Sequence, residues 1–391
     1  MTWFQSLSAA GFAATAISFG PGRMGFGLFV PEFRSEFAMS TSAVGFVSSL
    51  GFTGFFLGLL IAQALLIRRG PEAPVLSGLI AATAGMGIIT FAPNLFVLAL
   101  GVFLAASSAG FAWTPFNDAV HRKVFDVDRP TALSEISTGT SVGVVAAGAA
   151  ALIMVLTGLS WRVCWAFFAI ASAVVLIVNW AVLRKIDKDT TSMPRGAWRD
   201  LLRIAALPLF AIAFAYGTTS AIYISFAADH MLNRGGVRGL PTGATPAMVF
   251  MVYGLFGLAG LTTGRVKRAI GLPWLLRLVM LAGALSVALP AVLPGSWVGL
   301  TASAGLQGVH VMMTSAVLAF WSERLFPRLP SLSFTAALLA TAAGSVLGPA
   351  FAGVAAEAFG VQTMFLGAAV LPTALALALR NRHVRERAVM V

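Results

Sequence analysis

The chain has 391 residues, of which 58% are hydrophobic and only 10% are charged, and its mean hydropathy is +0.89. Soluble globular chains are nearer half apolar and a quarter charged, so this composition excludes an ordinary soluble domain and indicates a lipid bilayer. The net charge of +12 does not indicate a nucleic-acid partner, because the basic residues are scattered among short loops and form no continuous stripe. Cys164 is the only cysteine, which excludes an internal disulfide, and no Cys or His cluster offers a metal site, so we expect no cofactor.

Twelve stretches of the sequence are long and apolar enough to cross a bilayer, which takes about 20 residues in a helix. The N-terminus lacks the basic region of a cleaved signal, so we expect the first stretch to be retained as a span. The predicted spans lie near residues 8–30, 42–67, 74–92, 95–117, 134–157, 162–183, 204–227, 246–265, 272–292, 297–320, 332–355 and 361–380. The sequence therefore predicts an all-α membrane protein with twelve transmembrane helices.

The first predicted span carries Arg23, the only ionisable side chain before Glu32, directly after Gly20-Pro21-Gly22. Because Pro21 has no N–H to donate to the carbonyl four residues earlier, we expect the helix to break here. A second half-helix would begin near Pro21, with its free amides beside the guanidinium. A charge at membrane depth costs about 2.5–3.5 kcal/mol on insertion scales and is usually functional, so this arrangement predicts an anion site. The alternative is that Arg23 pairs with a carboxylate or caps loose carbonyls.

The basic residues predict the orientation of the spans. With the N-terminus inside, 21 of the 26 Lys and Arg residues fall in inside segments and 4 in outside segments, which places both termini in the cytoplasm. The longest polar stretch divides the chain almost in half. We therefore predict an N-terminal six-helix bundle (1–185), a cytoplasmic linker (186–203) and a C-terminal six-helix bundle (204–391).

The two predicted halves resemble each other at a constant offset of 205 residues. The matching positions are Gly139, Gly143 and Gly148 with Gly344, Gly348 and Gly353, then Asp118 with Glu323, and Lys123 with Arg328. Parallel repeats of this kind are typical of transporters built from two six-helix halves. Glycines at this spacing let helices approach closely, so we expect either surfaces on which the two halves move or static close packing.

Together these features resemble the major facilitator superfamily. The resemblance rests on twelve spans, the repeat of six, the basic central loop and the basic inner loops after spans two and eight. Gly344-Ser-Val-Leu-Gly348-Pro349 is similar to the superfamily's antiporter-type glycine–proline motif, and residues 20–31 (GPGRMGFGLFVP) resemble the first-span signature of the YbfB/YjiJ-like branch. The resemblance implies two pseudo-symmetric bundles, and we expect a monomer in the bacterial inner (cytoplasmic) membrane.

The resemblance also implies a gate at the cytoplasmic side, where basic residues of the inner loops pair with acids at the ends of spans four and ten. The candidate gating residues are Arg68, Arg69, Lys267 and Arg268 on the basic side and Asp118 and Glu323 on the acidic side. The aspartate that the family usually carries in the loop after span two is absent from both halves of this chain. The pairing pattern is therefore left open.

In the fold that the resemblance implies, spans one, four, seven and ten line a central cavity. Their polar and aromatic residues at mid-depth join Arg23 as candidates for binding the substrate: Trp113, Asn117, Tyr216, Tyr223, Gln307 and His310. An aromatic ring with a polar group suits a solute with a ring or a short chain, although packing or an interfacial belt explains any single Trp or Tyr equally well. Gln307 and His310 are three residues apart and should share a helix face.

Coupling to protons requires a carboxylate or a histidine that alternates between wet and dry surroundings. Glu135 near the start of span five and His310 in span ten are the candidates. The alternatives are that Glu135 complements a helix N-terminus and that His310 is a hydrogen-bonded core residue. We expect Asp229 and His230, at the outer end of span seven, to lie in a loop.

The sequence thus predicts a secondary active transporter that moves a small organic anion or zwitterion by alternating access, with the proton as candidate coupling ion. No Walker sequence is present, so ATP is not expected to power it. An exporter of amphipathic or cationic compounds is the first alternative, and it should carry a mid-depth acid that we do not find. A non-transporting receptor or scaffold is the second alternative. An enzyme is disfavoured, because no metal cluster or nucleophile with a base is evident.

Overall fold

The computed structural model describes residues 3–125, 127–184, 201, 206–380 and 384. Of the described residues 88% are helical, and no strand occurs among them. Long apolar segments in a bilayer must satisfy every backbone N–H and C=O internally, and a helix does so within one segment. The predicted all-α fold is confirmed, whereas the predicted linker (186–203) lies outside the described residues apart from Leu201.

The α-helices are numbered here in chain order. Before the linker they are α1 (Trp3–Ile17), α2 (Gly25–Leu28), α3 (Val30–Phe37), α4 (Thr41–Arg69), α5 (Glu72–Thr90), α6 (Leu95–Ser107), α7 (Trp113–Lys123), α8 (Arg129–Thr157) and α9 (Trp161–Leu183). After it they are α10 (Leu207–Asn233), α11 (Ala244–Gly257), α12 (Thr263–Ile270), α13 (Leu272–Val292), α14 (Trp297–Leu325), α15 (Pro330–Phe359) and α16 (Val361–Ala378). A π-helix (Ser18–Met24) joins α1 to α2, and 3-10 turns precede α7 (Ser108–Phe111) and α12 (Leu258–Thr262).

Eleven helical segments within the described residues are long and apolar enough to cross a membrane by length and composition. They correspond to the second to twelfth predicted spans. The first predicted span is not among them, because it is divided into short elements at Ser18 and again at Phe29. A multi-pass membrane protein is therefore supported, while the count of twelve spans and the orientation of the termini stay predictions.

The division at Ser18 is a π-helix of seven residues that contains Pro21. In a π-helix each N–H bonds to the carbonyl five residues earlier. Pro21 has no N–H, so it cannot donate to the carbonyl of Ile17 as the residue at this position of an α-helix would. The N–H of Gly22 is in register to donate to that carbonyl instead. Our expectation of free amides and a new helix start near Pro21 is wrong, because the backbone stays helical through this segment and Gly25 donates to the carbonyl of Pro21.

The described helices pack into two compact units. The first unit comprises Met1–Met39, Leu50–Met193 and Pro246–Gly254. The second unit comprises Ser40–Ser49, Pro194–Thr245 and Leu255–Val391. The predicted domain boundaries at 185 and 204 stay predictions.

The first two glycines of the repeat in each half close one helix pair inside each unit. A Cβ atom added at any of these glycines would collide with the neighbouring backbone, so the helices touch there. The pairs are Gly139 with Phe12, Gly143 with Ala16, Gly344 with Phe214 and Gly348 with Thr218. The α1–α8 pair of the first unit thus recurs as the α10–α15 pair of the second. The contacted residues, Phe12 with Phe214 and Ala16 with Thr218, are also a constant 202 residues apart. This favours close packing within a unit over surfaces that slide.

A charged clamp ties the end of α3 to the start of α9. Trp161 Nε1 donates to Glu36 Oε2 at 2.7 Å, and Arg162 Nη1 lies 2.6 Å from Glu36 Oε1. Arg162 also donates to the carbonyl of Ala92 at 2.8 Å. Burial by itself would raise the pKa of Glu36, but the hydrogen bonds from Arg162 and Trp161 and the charge of Arg162 together lower it from its ordinary value of 4.5.

We expect Gly344→Ala to destabilise the protein, because the added methyl would overlap the carbonyl of Phe214. Overpacking of this kind costs about 1–3 kcal/mol, against less than about 1 kcal/mol gained from replacing a helical glycine. Thermal unfolding in detergent measures the effect. The matched control is Gly367→Ala in α16, where a Cβ atom meets nothing within 4 Å and the melting temperature should hold or rise. Equal melting temperatures for the two variants would contradict this packing.

We expect Glu36 to make the stability of the protein pH-dependent. A carboxylate whose pKa is lowered by folding contributes stability above its unfolded pKa and loses that contribution as the pH falls through the folded value. The melting temperature of the wild type should therefore fall more steeply between about pH 5 and about pH 3 than that of Glu36→Gln. Glu323→Gln, which alters an exposed carboxylate, should follow the wild type.

Candidate functional site

Arg23 lies in the last turn of the π-helix and is 8% exposed. Its guanidinium carbon lies 4.4 Å from the ring centroid of Phe55, 5.6 Å from that of Phe52 and 5.7 Å from that of Phe19. Phe52 and Phe55 are three residues apart on α4, so one helix face presents both rings. We call Arg23 with these three phenylalanines the arginine cage.

The cage contains no anion of the protein itself. Within the described residues no carboxylate pairs with Arg23 and no carbonyl accepts a hydrogen bond from it, and the buried Nε has no partner. Both structural alternatives for Arg23, a salt bridge and the capping of loose carbonyls, are therefore not realised in the described part of the chain.

The three rings compensate only part of the cost of this charge. A cation over an aromatic face gains about 0.5–1 kcal/mol when exposed and about 2 kcal/mol or more when desolvated, and phenylalanine is weaker than tryptophan. Removing an ion from water costs several kcal/mol even after relaxation, and the N–H donors of Arg23 remain unused. The arginine cage thus keeps most of its capacity to bind an anion.

The two candidates in α7 have different surroundings. Trp113 packs against a hydrophobic cluster that includes Leu7, Val75 and Phe116, so its ring has a packing role. Asn117 is half-buried, and its Oδ1 has no hydrogen bond. Among the described residues no hydrogen bond or ring contact joins either side chain to Arg23.

The four candidates in the second unit are buried and lie in two sets of contacts between α10, α13 and α14. The ring of Tyr216 meets that of His310 edge-on, with 5.6 Å between centroids. The remaining links are Tyr223 Oη to Ser303 Oγ at 3.1 Å, Ser303 Oγ to the Ser286 carbonyl at 2.8 Å, Ser286 Oγ to Gln307 Oε1 at 2.5 Å, and His310 Nδ1 to the Val279 carbonyl at 2.7 Å. Gln307 and His310 both contact α13, as their spacing predicts.

Sequence reasoning missed the partners in both places. Phe19, Phe52 and Phe55 were unremarkable among 30 phenylalanines. Ser286 and Ser303 carry no charge and did not stand out in the sequence. Pro290, however, could have indicated a polar contact near Ser286. A proline inside a membrane helix leaves the carbonyl four residues earlier, here that of Ser286, in need of a donor.

The predicted gating residues have different surroundings in this structure. Asp118 forms an ion pair with Arg122 on the next turn of its own helix. Arg68, Arg69 and Glu323 are exposed and form no ion pair with a described residue. Lys267 Nζ lies 4.5 Å from the ring centroid of Phe320, and Arg268 is exposed. Their role in a gate stays a prediction.

Two further expectations concern acids and histidines. Glu135 is exposed and lies in the second turn of α8, which begins at Arg129. A favourable interaction with the positive end of the helix dipole therefore explains the position of Glu135 less well than we expected. Asp229 and His230 do not lie in a loop, because α10 continues to Asn233 and buries both side chains.

Membrane-length helices that repeat in two units and bury polar groups inside each define the class of helical membrane transporters. The family model of the Major Facilitator Superfamily matches residues 11–321. The chain therefore belongs to the major facilitator superfamily, and the resemblance seen in the sequence is confirmed at that level.

The comparisons with individual proteins agree with this family. Monocarboxylate transporter 13 of Rattus norvegicus is 29% identical over 201 residues, which cover 51% of this chain and 45% of the relative. The match therefore spans less than half of the relative's length. Among solved structures, a bacterial homologue of the human lysosomal transporter Spinster has a TM-score of 0.77 at 15% identity, with 99% of each chain covered.

Two other solved transporters share the fold. The nucleoside transporter NupG has a TM-score of 0.69 at 16% identity, covering 97% of this chain and 98% of its own. A POT family transporter in complex with 5-aminolevulinic acid has a TM-score of 0.74 at 13% identity, covering 96% of this chain and 94% of its own. At such low identity these likenesses show the fold alone.

We expect Phe55→Leu to lower the melting temperature of the protein more in the wild type than in an Arg23→Met background. Leucine keeps the apolar contact but removes the ring, so the difference isolates the ring's interaction with the cation, about 0.5–2 kcal/mol. Thermal unfolding of the four proteins in detergent measures it. Equal shifts in both backgrounds would mean that the ring only packs.

Proposed function

We propose that this protein is a secondary active transporter that moves a small organic anion by alternating access and holds the anion's charge at Arg23. The single observation that carries the proposal is a buried guanidinium with no carboxylate and no hydrogen-bond partner among the described residues. A charge kept at membrane depth at such a cost is by default functional.

The chemistry of the guanidinium favours a carboxylate. Its planar fork donates two parallel hydrogen bonds to a carboxylate, and charge-assisted bonds of this kind are about twice as strong as neutral ones. The three rings of the arginine cage give the guanidinium apolar surroundings, which strengthens the interaction further. Before an anion binds and after it leaves, the rings stabilise the cation, so the binding site tolerates both states.

Two observations support a monocarboxylate within this class. The cage offers one cation in apolar surroundings, which suits one negative charge with an apolar remainder. The rat relative is named a monocarboxylate transporter, and its match supports the same class here. A zwitterion would need an acceptor for its ammonium group, and Asn117 Oδ1, which is buried without a hydrogen bond, is the candidate in this unit.

We also propose the finer assignments of family and location. The first-span stretch of residues 20–31 supports the YbfB/YjiJ-like branch of the superfamily, and its conformation around Pro21 is the unusual π-helix. We assign the protein to the bacterial inner membrane as a monomer. Export of cations is less well supported, since the cation at Arg23 would repel them.

We expect Arg23→Gln to abolish counterflow of a radiolabelled monocarboxylate such as L-lactate in proteoliposomes. Loss of a charge-assisted hydrogen-bond pair of about 1.5–3 kcal/mol corresponds to a decrease in kcat/KM of about 10- to 150-fold. Arg23→Lys keeps the positive charge but lacks the planar fork of donors, so its kcat/KM should lie between those of the wild type and Arg23→Gln.

The matched control is Arg238→Gln, which removes an exposed cation outside the candidate binding and gating residues and should leave transport within about twofold. Each variant must elute as the wild type does in size-exclusion chromatography. Unchanged anion counterflow in a folded Arg23→Gln protein would contradict the proposal. Counterflow of an organic cation that survives this substitution would favour the cationic exporter instead.

A further inference from the structure

The 3-10 turn that precedes α7 touches the backbone on two sides of the arginine cage. All four residues of this turn, Ser108–Phe111, are buried, and none of them is among the candidate binding, gating or coupling residues. The turn belongs to the same unit as Arg23, Phe52 and Phe55. Its contacts therefore show what holds the cation and its rings in place relative to each other.

The first contact is with the π-helix, at the residue directly before Arg23. A Cβ atom added at Gly22 would come within 2.9 Å of Ser108 Oγ and within 3.1 Å of the Ala105 carbonyl oxygen. A side chain at position 22 would therefore collide with the turn, and glycine permits the close approach of the two segments. The Ser108 hydroxyl thus lies against the chain one residue before Arg23.

The second contact is with α4, at the residue whose ring lies nearest to the cation. A Cβ atom added at Gly110 would come within 2.6 Å of the Phe55 carbonyl oxygen and within 2.5 Å of the Leu59 nitrogen. The ring centroid of Phe55 lies 4.4 Å from the guanidinium carbon of Arg23. Two residues of one turn, Ser108 and Gly110, therefore touch the chain beside the cation and the chain that carries its nearest ring.

The turn is also held by α5. A Cβ atom added at Gly78 would come within 2.5 Å of the Cβ atom of Phe111 and within 3.3 Å of the Ser108 carbonyl oxygen. Protein interiors at this density have low compressibility and transmit a displacement to their neighbours. A change in the turn should therefore be passed on to Arg23 and Phe55.

Two adjacent serines carry the same local hydrogen bond but have different neighbours. Ser107 Oγ donates at 2.7 Å and Ser108 Oγ donates at 2.6 Å, each to the carbonyl three residues earlier. Each bond uses the single hydrogen of its hydroxyl. Ser108 Oγ lies against Gly22, whereas Ser107 touches α4 at Gly58 through its carbonyl oxygen. The pair therefore separates the local role of the hydroxyl from its contact with the π-helix.

We propose that Ser108 is a positioning residue of the anion site, because it sets where Arg23 lies relative to Phe55. Its hydroxyl is fixed by the bond within the turn, and its oxygen rests against Gly22. The same turn fixes α4 through Gly110. Ser108 acts through Arg23 and needs no contact with the substrate. The inference rests on the proposed function, in which Arg23 binds the charge of the anion.

Small displacements matter at this site because both interactions of the guanidinium are directional. Two parallel hydrogen bonds to a carboxylate form only when the planar fork is aligned with it. A ring attracts the cation only over its face, within about 6 Å of the ring centroid. Ser108→Ala should therefore weaken both interactions, while Ser107→Ala should weaken neither.

The first test is a set of double-mutant cycles on thermal unfolding in detergent, which needs no substrate. Arg23→Met and Phe55→Leu measure the coupling between cation and ring in three backgrounds: the wild type, Ser108→Ala and Ser107→Ala. Both serine variants remove one hydroxyl and one hydrogen bond, so they should lower the melting temperature by similar amounts. The coupling should persist in Ser107→Ala and be lost in Ser108→Ala.

Equal coupling in the two serine backgrounds would overturn the inference, because Ser108 would then be an ordinary packing residue. A wild type without coupling would overturn it as well, since there would be no placement for Ser108 to maintain.

A size exchange tests the contact between Ser108 and the π-helix. Gly22→Ala should lower the melting temperature less in Ser108→Ala than in the wild type, because the atom closest to the new methyl group is then absent. Equal shifts in both backgrounds would overturn the inference by removing the contact on which it rests.

The second test is counterflow of L-lactate in proteoliposomes. Ser108→Ala should raise KM about 10-fold and leave kcat within about twofold, because a misplaced fork weakens binding in the ground state and the transition state alike. Ser107→Ala should keep both constants within about twofold of the wild type. An unchanged KM in Ser108→Ala would overturn the inference. A wild type that moves no lactate would count against the substrate proposed above, and the double-mutant cycles would still decide the role of Ser108.

Discussion

A cation buried in a membrane helix, with no counter-charge among the residues that the structure describes, is the constraint on which the first unit depends. Arg23 is tolerated because three phenyl rings surround it and because the backbone around Pro21 continues as a π-helix. Neither device neutralises the charge. The cation at this place therefore stays uncompensated among the described residues, and this is the basis of the anion site proposed above.

The two units share a packing device and differ in their chemistry. In each, glycines on one long helix let it touch the backbone of another, α8 on α1 and α15 on α10. This contact fixes α1, which leads into the π-helix of Arg23, and α10, which carries Tyr216 and Tyr223. The first unit buries the charge of Arg23, whereas the second buries the uncharged polar side chains of Gln307 and His310. One repeated scaffold thus supports two different sites, as expected when function lies in residues placed on a fold.

Local signals predicted much of this arrangement. Apolar stretches located the later helices, the 205-residue offset located the repeated glycines, and the isolated charge of Arg23 singled out its own helix. The partners of individual side chains were left open or missed by these signals. Trp113 has a packing role, Asp118 pairs within its own helix, and Asp229 belongs to α10. Each of these depends on which side chain faces which, and spacing along one helix does not determine that.

The sequence by itself determined that this chain is a helical membrane protein of repeated halves with a costly charge in its first span, because hydropathy, periodicity and charge are properties of local composition. Only the tertiary structure decided how that charge is held and which polar groups lie unsatisfied. The rings of Phe52 and Phe55 reach Arg23, and Ser286 reaches Gln307, through contacts between helices distant in the sequence. Such contacts follow from the packing of whole helices, which brings together groups that no local pattern relates.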